Sequence, residues 1–110
     1  MLFNVLVGNR DDHLRNHGFI REPSGWRLSQ AFDVNPSLAK AKHALTLDGR
    51  RATPSVEAAM ATAELYRLTT SEAQAVLAQV RNALAGWLDE AERHGLARSE
   101  VQRMETVIQA

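Results

Sequence analysis

The chain has 110 residues, and its 13 Lys and Arg residues balance its 13 Asp and Glu residues, so the formal net charge is zero. Neutrality argues against a dedicated electrostatic binder of nucleic acid or of an anionic membrane surface. The absence of cysteine excludes disulfide scaffolds, cysteine-based zinc sites and thiol catalysis. Apolar runs are too short for a membrane span or a signal peptide, so a single cytoplasmic domain is expected.

The two halves of the chain differ in composition. Residues 1–54 carry a charge balance of +3 and seven of the nine glycines and prolines, whereas residues 55–110 carry a balance of −3. This contrast predicts turns, short strands and loops in the first half and helices in the second. Because loops carry function more often than helices do, we expect the chemistry within residues 1–54.

The first half contains three candidate elements. The apolar stretch from Met1 to Val7 fits a strand or a helix by pattern alone. A β-hairpin is predicted near residues 18–28, because two short β-like runs flank a Pro-Ser-Gly turn signal. A further short strand is predicted from His43 to Leu47, followed by a turn at Asp48.

The second half shows helix start and stop signals. A first helix is predicted with Thr53 as its cap and Pro54 as its first residue, ending near Leu68. A capping box follows, formed by Thr69 with Glu72 or by Ser71 with Gln74. One long helix then runs to a stop at Gly95, and a third helix spans residues 98–109. The long helix has a single apolar stripe consisting of Val76, Leu77, Val80, Leu84, Trp87, Leu88 and Ala91.

Asp, Asn and His side chains crowd into residues 9–17, and three interpretations of this cluster remain open on the residues alone. Asp11, Asn16 and a buried Asp33 would suit phosphoryl transfer, which needs a carboxylate for the hydroxyl nucleophile and hard oxygen ligands for magnesium. The second interpretation is a hydrolytic transition-metal site, whose ligands would be Asp11, Asp12, His13 and His17. The third is a purely structural role in capping and turn formation, which composition alone favours.

Two segments resemble the HipA family of toxin kinases. Residues 3–16 (Phe-Asn-Val-Leu-Val-Gly-Asn-Arg-Asp-Asp-His-Leu-Arg-Asn) resemble that family's catalytic-loop segment. Residues 29–34 (Ser-Gln-Ala-Phe-Asp-Val) resemble its magnesium-binding strand and turn, with Gln30 in place of the usual proline and Phe32 in place of the usual tyrosine. The Asp-x-His-x-x-Asn spacing is also similar to the catalytic loop of phosphatidylinositol kinases.

The resemblance implies roles only at the matching positions. It makes Asp11 the catalytic aspartate, and Asn16 and Asp33 the magnesium ligands. It makes His13 a brace for the loop and Arg15 a basic residue that approaches phosphates. Asp12 stands where the family often has a small residue and receives no role, while the three remaining histidines are expected to be surface or packing residues.

The resemblance also implies a fold and a function. The expected fold is mainly α, the C-lobe fragment of a kinase-like fold in a single domain, with the catalytic and metal-binding segment in residues 1–54 and a helical segment in residues 55–110. The complete enzyme would transfer the ATP γ-phosphate to a protein hydroxyl with Mg²⁺. The chain contains no glycine-rich phosphate loop and no lysine before Asp33, so a nucleotide-binding lobe is expected to precede it. We therefore expect weak or no ATP binding and little activity by this chain alone.

Expected partners are a HipB-like DNA-binding antitoxin and a second copy of the chain, without direct contact to nucleic acid or membrane. Apolar surface left by a missing lobe would drive self-association, with Leu2, Phe3 and Leu6 as candidate contacts. The alternative to a kinase lobe is a non-catalytic helical remnant that binds a partner protein or itself.

Overall fold

A computed structural model describes residues 1–47, 49–50 and 52–109. The elements are α1 (Leu2–Val7), β1 (Phe19–Glu22), β2 (Gly25–Leu28), α2 (Val56–Met60), α3 (Thr70–Leu84), α4 (Trp87–Arg93) and α5 (Arg98–Glu105), with 3-10 turns at Leu14–Asn16 and Ala63–Tyr66. The prediction of a mainly helical fold with one hairpin is therefore confirmed. Within the described part of the chain, no helix has the length and apolar character needed to cross a membrane.

Helix α1 lies at the centre of the core. Val5 and Leu6 are 0% and 1% exposed, and α1 packs against both α2 and α3. Its buried residues are the four from Asn4 to Val7, which span a full turn, as expected for the enclosed part of a helix. The prediction that Leu6 contributes to a contact between two copies is therefore wrong, because its side chain is already covered within the chain. Leu2 is half-buried and Phe3 is 37% exposed, so both remain accessible.

The predicted hairpin is present, whereas the predicted third strand is not. β1 and β2 pair antiparallel from Phe19 with Leu28 to Glu22 with Gly25, and a two-residue turn joins them. Residues 43–47 form no strand, because His43 and Ala44 donate their backbone hydrogen bonds to Ala52 and Arg10 instead of to a neighbouring strand. The turn predicted at Asp48 lies outside the described residues.

The helix predicted to begin at Pro54 begins two residues later and is shorter. Ser55 is its cap, since the Ser55 hydroxyl accepts a hydrogen bond from the Ala58 amide at 3.0 Å. The helix ends at Met60, where the Thr62 hydroxyl donates back to the Ala59 carbonyl at 2.7 Å. Such back-bonding competes with the helical ladder and loosens the last turn.

The long helix predicted up to Gly95 is divided into α3 and α4. The Thr69–Glu72 capping box at its start is present, with the Thr69 amide donating to the Glu72 carboxylate at 2.8 Å. The division falls at Gly86, whose backbone freedom makes it the weakest point of a continuous helix. Gly95 has a φ of 70° and ends α4 as predicted.

The segment after α5 packs on the end of α1. The Gln109 amide donates to the Leu6 carbonyl at 2.7 Å. Gly8 closes α1 with a φ of 73°, and a Cβ atom there would lie 2.8 Å from the carbonyl oxygen of Val107. Only glycine satisfies both the left-handed backbone and this close approach. The contact fixes the point at which the chain leaves α1 and enters the polar loop.

Candidate functional site

The polar loop begins at Asn9, a buried residue that connects three parts of the chain. Its side chain is 2% exposed. Its amide oxygen accepts a hydrogen bond from the Asp11 backbone amide at 3.1 Å. Its amide nitrogen donates to the Asn4 side chain at 3.3 Å and to the Asp33 carbonyl at 3.4 Å. One side chain thus joins helix α1, the loop that carries Asp11 and the segment that carries Asp33.

Asn16 lies beside Asp11 because the loop turns back on itself. Residues 14–16 form a 3-10 turn in which the Asn16 amide donates to the His13 carbonyl at 2.9 Å. The Asn16 side-chain nitrogen then donates to the Asp11 carbonyl at 3.4 Å. With the nitrogen committed to that bond, the amide oxygen is the Asn16 atom suited to a cation.

Asp33 is exposed, so the prediction that it lies buried in an apolar setting is wrong. Its backbone adopts a left-handed conformation with a φ of 55°, and the neighbouring Phe32 is itself 46% exposed. The Asp33 carboxylate accepts a hydrogen bond from the Asn35 side chain at 3.1 Å. Because an Asp side chain tolerates this backbone region better than most residues do, the turn presents the carboxylate outward.

The Asp11 carboxylate forms an ion pair with Lys40, 29 residues further along the chain. The Lys40 hydrogen bond is the main reason that the pKa of the Asp11 carboxyl lies below its usual value, and the nearby charges of His13 and Arg15 act in the same direction. Lys40 thus favours the ionised form of Asp11, which is the form a proton acceptor requires, and at the same time makes this carboxylate a weaker base.

Asp12 and His13, two further residues of the loop, differ in their contacts. Asp12, which received no role, pairs with His17 at 2.8 Å and is less exposed than Asp11. The His13 carbonyl braces the 3-10 turn, whereas its buried Nδ1 has no hydrogen-bond partner in the described residues. The brace is thus made by the His13 backbone, and a role for its imidazole stays a prediction.

His43 packs behind the loop. It is 6% exposed, and burial, assisted by the positive charge of Arg10, lowers the pKa of its imidazole. The next residue, Ala44, donates its amide hydrogen bond to the Arg10 carbonyl at 3.1 Å, so residues 43–44 lie against the loop. This is the packing role expected for that histidine.

A pocket of about 190 Å³ lies beside the loop, between α1, the 3-10 turn at Leu14–Asn16 and the segment that precedes Asp33. Its polar lining is contributed by Asn4, Asn9, Asp12, Asn16, His17, Ser29 and Gln30. Asn16 faces this pocket, and so do Phe32 and Val34, the two neighbours of Asp33. Asp11 and Asp33 are not among the residues that line this pocket. The side-chain oxygens of Asn16 and Asp33 are each hard ligands of the type that Mg²⁺ takes when substrate phosphates complete its shell.

A transition-metal site is not formed by the loop. No group of three or more His, Cys, Asp or Glu side chains suited to a metal ion occurs in the described ranges. Asp12 and His17 are paired with each other, and Asp11 is paired with Lys40. The donor set therefore fits an ion held mainly by phosphate oxygens better than one held by protein ligands alone.

Asp11, Asn16 and Asp33 stay predictions as site residues, and the sequence did not indicate the residues that connect their segments. Asn9 was part of the matched segment, yet nothing in its type or spacing distinguishes a buried connector from a turn residue. Lys40 gave no local signal either, since its contact with Asp11 spans 29 residues.

Comparison with family models gave a match over most of the chain. The family model described as the HipA-like C-terminal domain matches residues 1–88, which include the whole polar loop, the hairpin and helices α1 to α3. Searches of curated proteins and of solved structures gave no match.

Proposed function

The chain belongs to the family of HipA-like C-terminal domains, and we propose that it is the catalytic-lobe portion of a serine/threonine protein kinase, the toxin of a toxin–antitoxin system. The observation that carries the proposal is the chain of hydrogen bonds running from Asn16 through Asp11 and Asn9 to Asp33. These bonds reach the backbones of Asp11 and Asp33, so they connect the segments that carry the three residues to which the family resemblance assigns catalysis and magnesium binding.

Each residue has a distinct part in the proposed reaction. Asp11 is ionised and half-exposed, so it orients the substrate hydroxyl and accepts its proton. The side-chain oxygens of Asn16 and Asp33 would hold Mg²⁺, which would supply neutralisation of charge on the phosphates. Catalysis of this type consists mainly of positioning and charge stabilisation, which explains why a buried connector such as Asn9 accompanies the reacting groups.

The proposed activity requires a nucleotide-binding lobe that these 110 residues do not contain. The sequence has no glycine-rich phosphate loop, and Mg²⁺ relies on phosphate oxygens to complete its ligand shell. We expect titration calorimetry of the chain alone with Mg-ATP to show weak or undetectable binding. Micromolar affinity would contradict this requirement. We also propose a cytoplasmic location, where ATP would be available as the phosphate donor.

The experiment that tests the proposal combines the chain with the nucleotide-binding lobe of a HipA-family kinase and measures transfer of labelled phosphate to protein. Asp11→Asn keeps the shape of the side chain and removes the proton acceptor, and Asp33→Asn removes a charged ligand. Each should lower the rate at least about 100-fold. Asp89→Asn, an exposed carboxylate on α4, is the matched control and should leave the rate unchanged.

Two outcomes would overturn the assignment. If the wild-type combination transfers no phosphate, or if neither Asp11→Asn nor Asp33→Asn lowers the rate, the kinase proposal is wrong. Asp12→Asn tests the register of the loop, because this neighbouring carboxylate lines the pocket and is paired with His17. A loss confined to Asp12→Asn would place the catalytic carboxylate one residue later.

A second candidate function is a non-catalytic interaction module, and exposed apolar side chains favour it. On the hairpin, Phe19, Trp26 and Leu28 are 65%, 69% and 57% exposed. The register places all three on one face of the two strands. Surfaces of this kind often bind proteins, and a HipB-like antitoxin is the partner we propose. An antitoxin that binds the chain equally well when Asp11 and Asp33 are both replaced, in the absence of any kinase activity, would support the module.

A further inference from the structure

Lys40 lies next to Asp11 because hydrogen bonds hold the segment that carries the lysine against the polar loop. The Ser37 amide donates to the Gly8 carbonyl at 2.9 Å, and the Arg10 amide donates to the Ser37 hydroxyl at 3.1 Å. The Arg10 guanidinium donates to the Lys40 carbonyl at 3.4 Å and to the Ala41 carbonyl at 3.1 Å. Residues 37–41 are thus laid along the polar loop by four hydrogen bonds.

Stability does not account for this arrangement. The side chains of Lys40 and Asp11 are 50% and 54% exposed. Ion pairs with this exposure contribute little to folding, because water and salt screen them. The four hydrogen bonds already hold the segment in place, so the lysine is not needed to anchor it. What the ammonium group does add is a positive charge at the carboxylate that the proposed reaction uses.

The charge around Asp11 suits an anion with more charge than one carboxylate. Lys40, His13 and Arg15 all lie close enough to act on Asp11 electrostatically. A lysine ammonium has three donors on a flexible stem, so one can stay on the carboxylate while another reaches a second acceptor. The acceptor that must come next to Asp11 during phosphoryl transfer is an oxygen of the transferred group.

We propose that Lys40 is the phosphoryl-binding cation of this chain: it keeps one hydrogen bond to Asp11 and donates another to a non-bridging oxygen of the ATP γ-phosphate. The inference rests on the proposed kinase function and adds a catalytic residue to it. The substrate hydroxyl oxygen bonds to the γ-phosphorus as the bond from that phosphorus to the β–γ bridging oxygen breaks. The hydroxyl proton passes to Asp11, ADP leaves with the electron pair, and Lys40 remains protonated throughout.

The first test uses the 110-residue chain alone and needs no activity. Inorganic tripolyphosphate is titrated against ¹⁵N-labelled protein, and the amide resonances of Asp11 and Lys40 are followed by NMR. Lys40→Met should weaken binding about 5-fold, as expected for one exposed charge pair. Lys42→Met removes the same charge two residues away on the same exposed segment and should have a smaller effect. Equal losses for both variants, or no binding by the wild-type chain, would overturn the proposal.

A second test separates a catalytic role from a merely structural one. In the combined kinase, Lys40→Met should lower kcat at least about 10-fold while KM for the protein substrate stays unchanged, because the contact strengthens as charge develops on the phosphoryl group. Lys40→Arg, which keeps the charge, should restore part of kcat. Unchanged or increased kcat in Lys40→Met would mean that the lysine is a bystander or a block on Asp11. An inactive wild-type kinase would instead refute the proposed function, and the tripolyphosphate titration would still show whether Lys40 binds a phosphate anion.

Discussion

Replacing Asn9 by alanine should destabilise the chain well beyond the cost of an ordinary polar substitution. The change removes the hydrogen bonds to the Asp11 amide, to the Asn4 side chain and to the Asp33 carbonyl. Asn4 is 8% exposed, so its amide oxygen is left buried without that partner, at a cost of about 1–3 kcal/mol. The other two partners are only partly buried and recover much of their loss in water. We expect the free energy of unfolding to fall by about 2–4 kcal/mol, since each bond contributes about 1 kcal/mol net.

The assay is urea denaturation followed by circular dichroism, and Asn35→Ala is the matched control. Asn35 makes one hydrogen bond to the Asp33 carboxylate and is exposed, so its loss should cost no more than about 0.5 kcal/mol. Hydrogen exchange adds a local measurement, in which the Asp11 amide of Asn9→Ala should exchange faster by a larger factor than amides in α3. Equal stabilities of the Asn9→Ala and Asn35→Ala variants would refute the idea that Asn9 connects the site.

Gly8→Ala should lower the free energy of unfolding by at least about 1 kcal/mol, because it adds a clash with Val107 to a left-handed backbone. Gly86→Ala should be neutral or stabilising, because a Cβ atom there meets nothing within 4 Å. Thermal unfolding of both variants measures the difference. Thr69→Ala should cost about 1 kcal/mol in the same assay. Hydrogen bonds from Thr69 lower the pKa of the Glu72 carboxyl. The stability gained from the cap should therefore be present above the pKa that Glu72 has in the unfolded chain, and be lost as the pH falls through its pKa in the folded chain. A cost of Thr69→Ala that does not shrink in acid would contradict this. Sedimentation should show self-association that Phe3→Ser weakens, and a monomer at high concentration would count against it.

Features set by neighbours in the chain were predictable. The hairpin follows from its Pro-Ser-Gly turn, the start of α3 from the capping box of Thr69 with Glu72, and the end of α4 from Gly95. Each depends on groups within a few residues of one another, so the local sequence contains all the atoms involved. The relation of Asp11 to Asn16 belongs to the same class, because one 3-10 turn brings them together.

The helix boundaries were predicted less accurately, because neighbouring residues give competing start and stop signals. Pro54 and Ser55 are both common residue types near a helix start. The helix begins after Ser55 because its hydroxyl accepts a hydrogen bond from the Ala58 amide. Likewise, the apolar stripe favoured one helix through Gly86, while the chain divides there. The hydrophobic pattern does not contain the packing energy against α1, so it does not show whether that energy exceeds the helix-propensity cost of a glycine.

Tertiary structure alone decided how the site is assembled. The sequence by itself determined the short-range turns that present the proposed site residues. The bond from Asn9 to Asp33 spans 24 residues and the ion pair of Lys40 with Asp11 spans 29. Such contacts depend on the path of the whole intervening chain. The exposure of Asp33 has the same origin, since its apolar neighbours favoured burial and the left-handed turn at this residue directs the carboxylate outward.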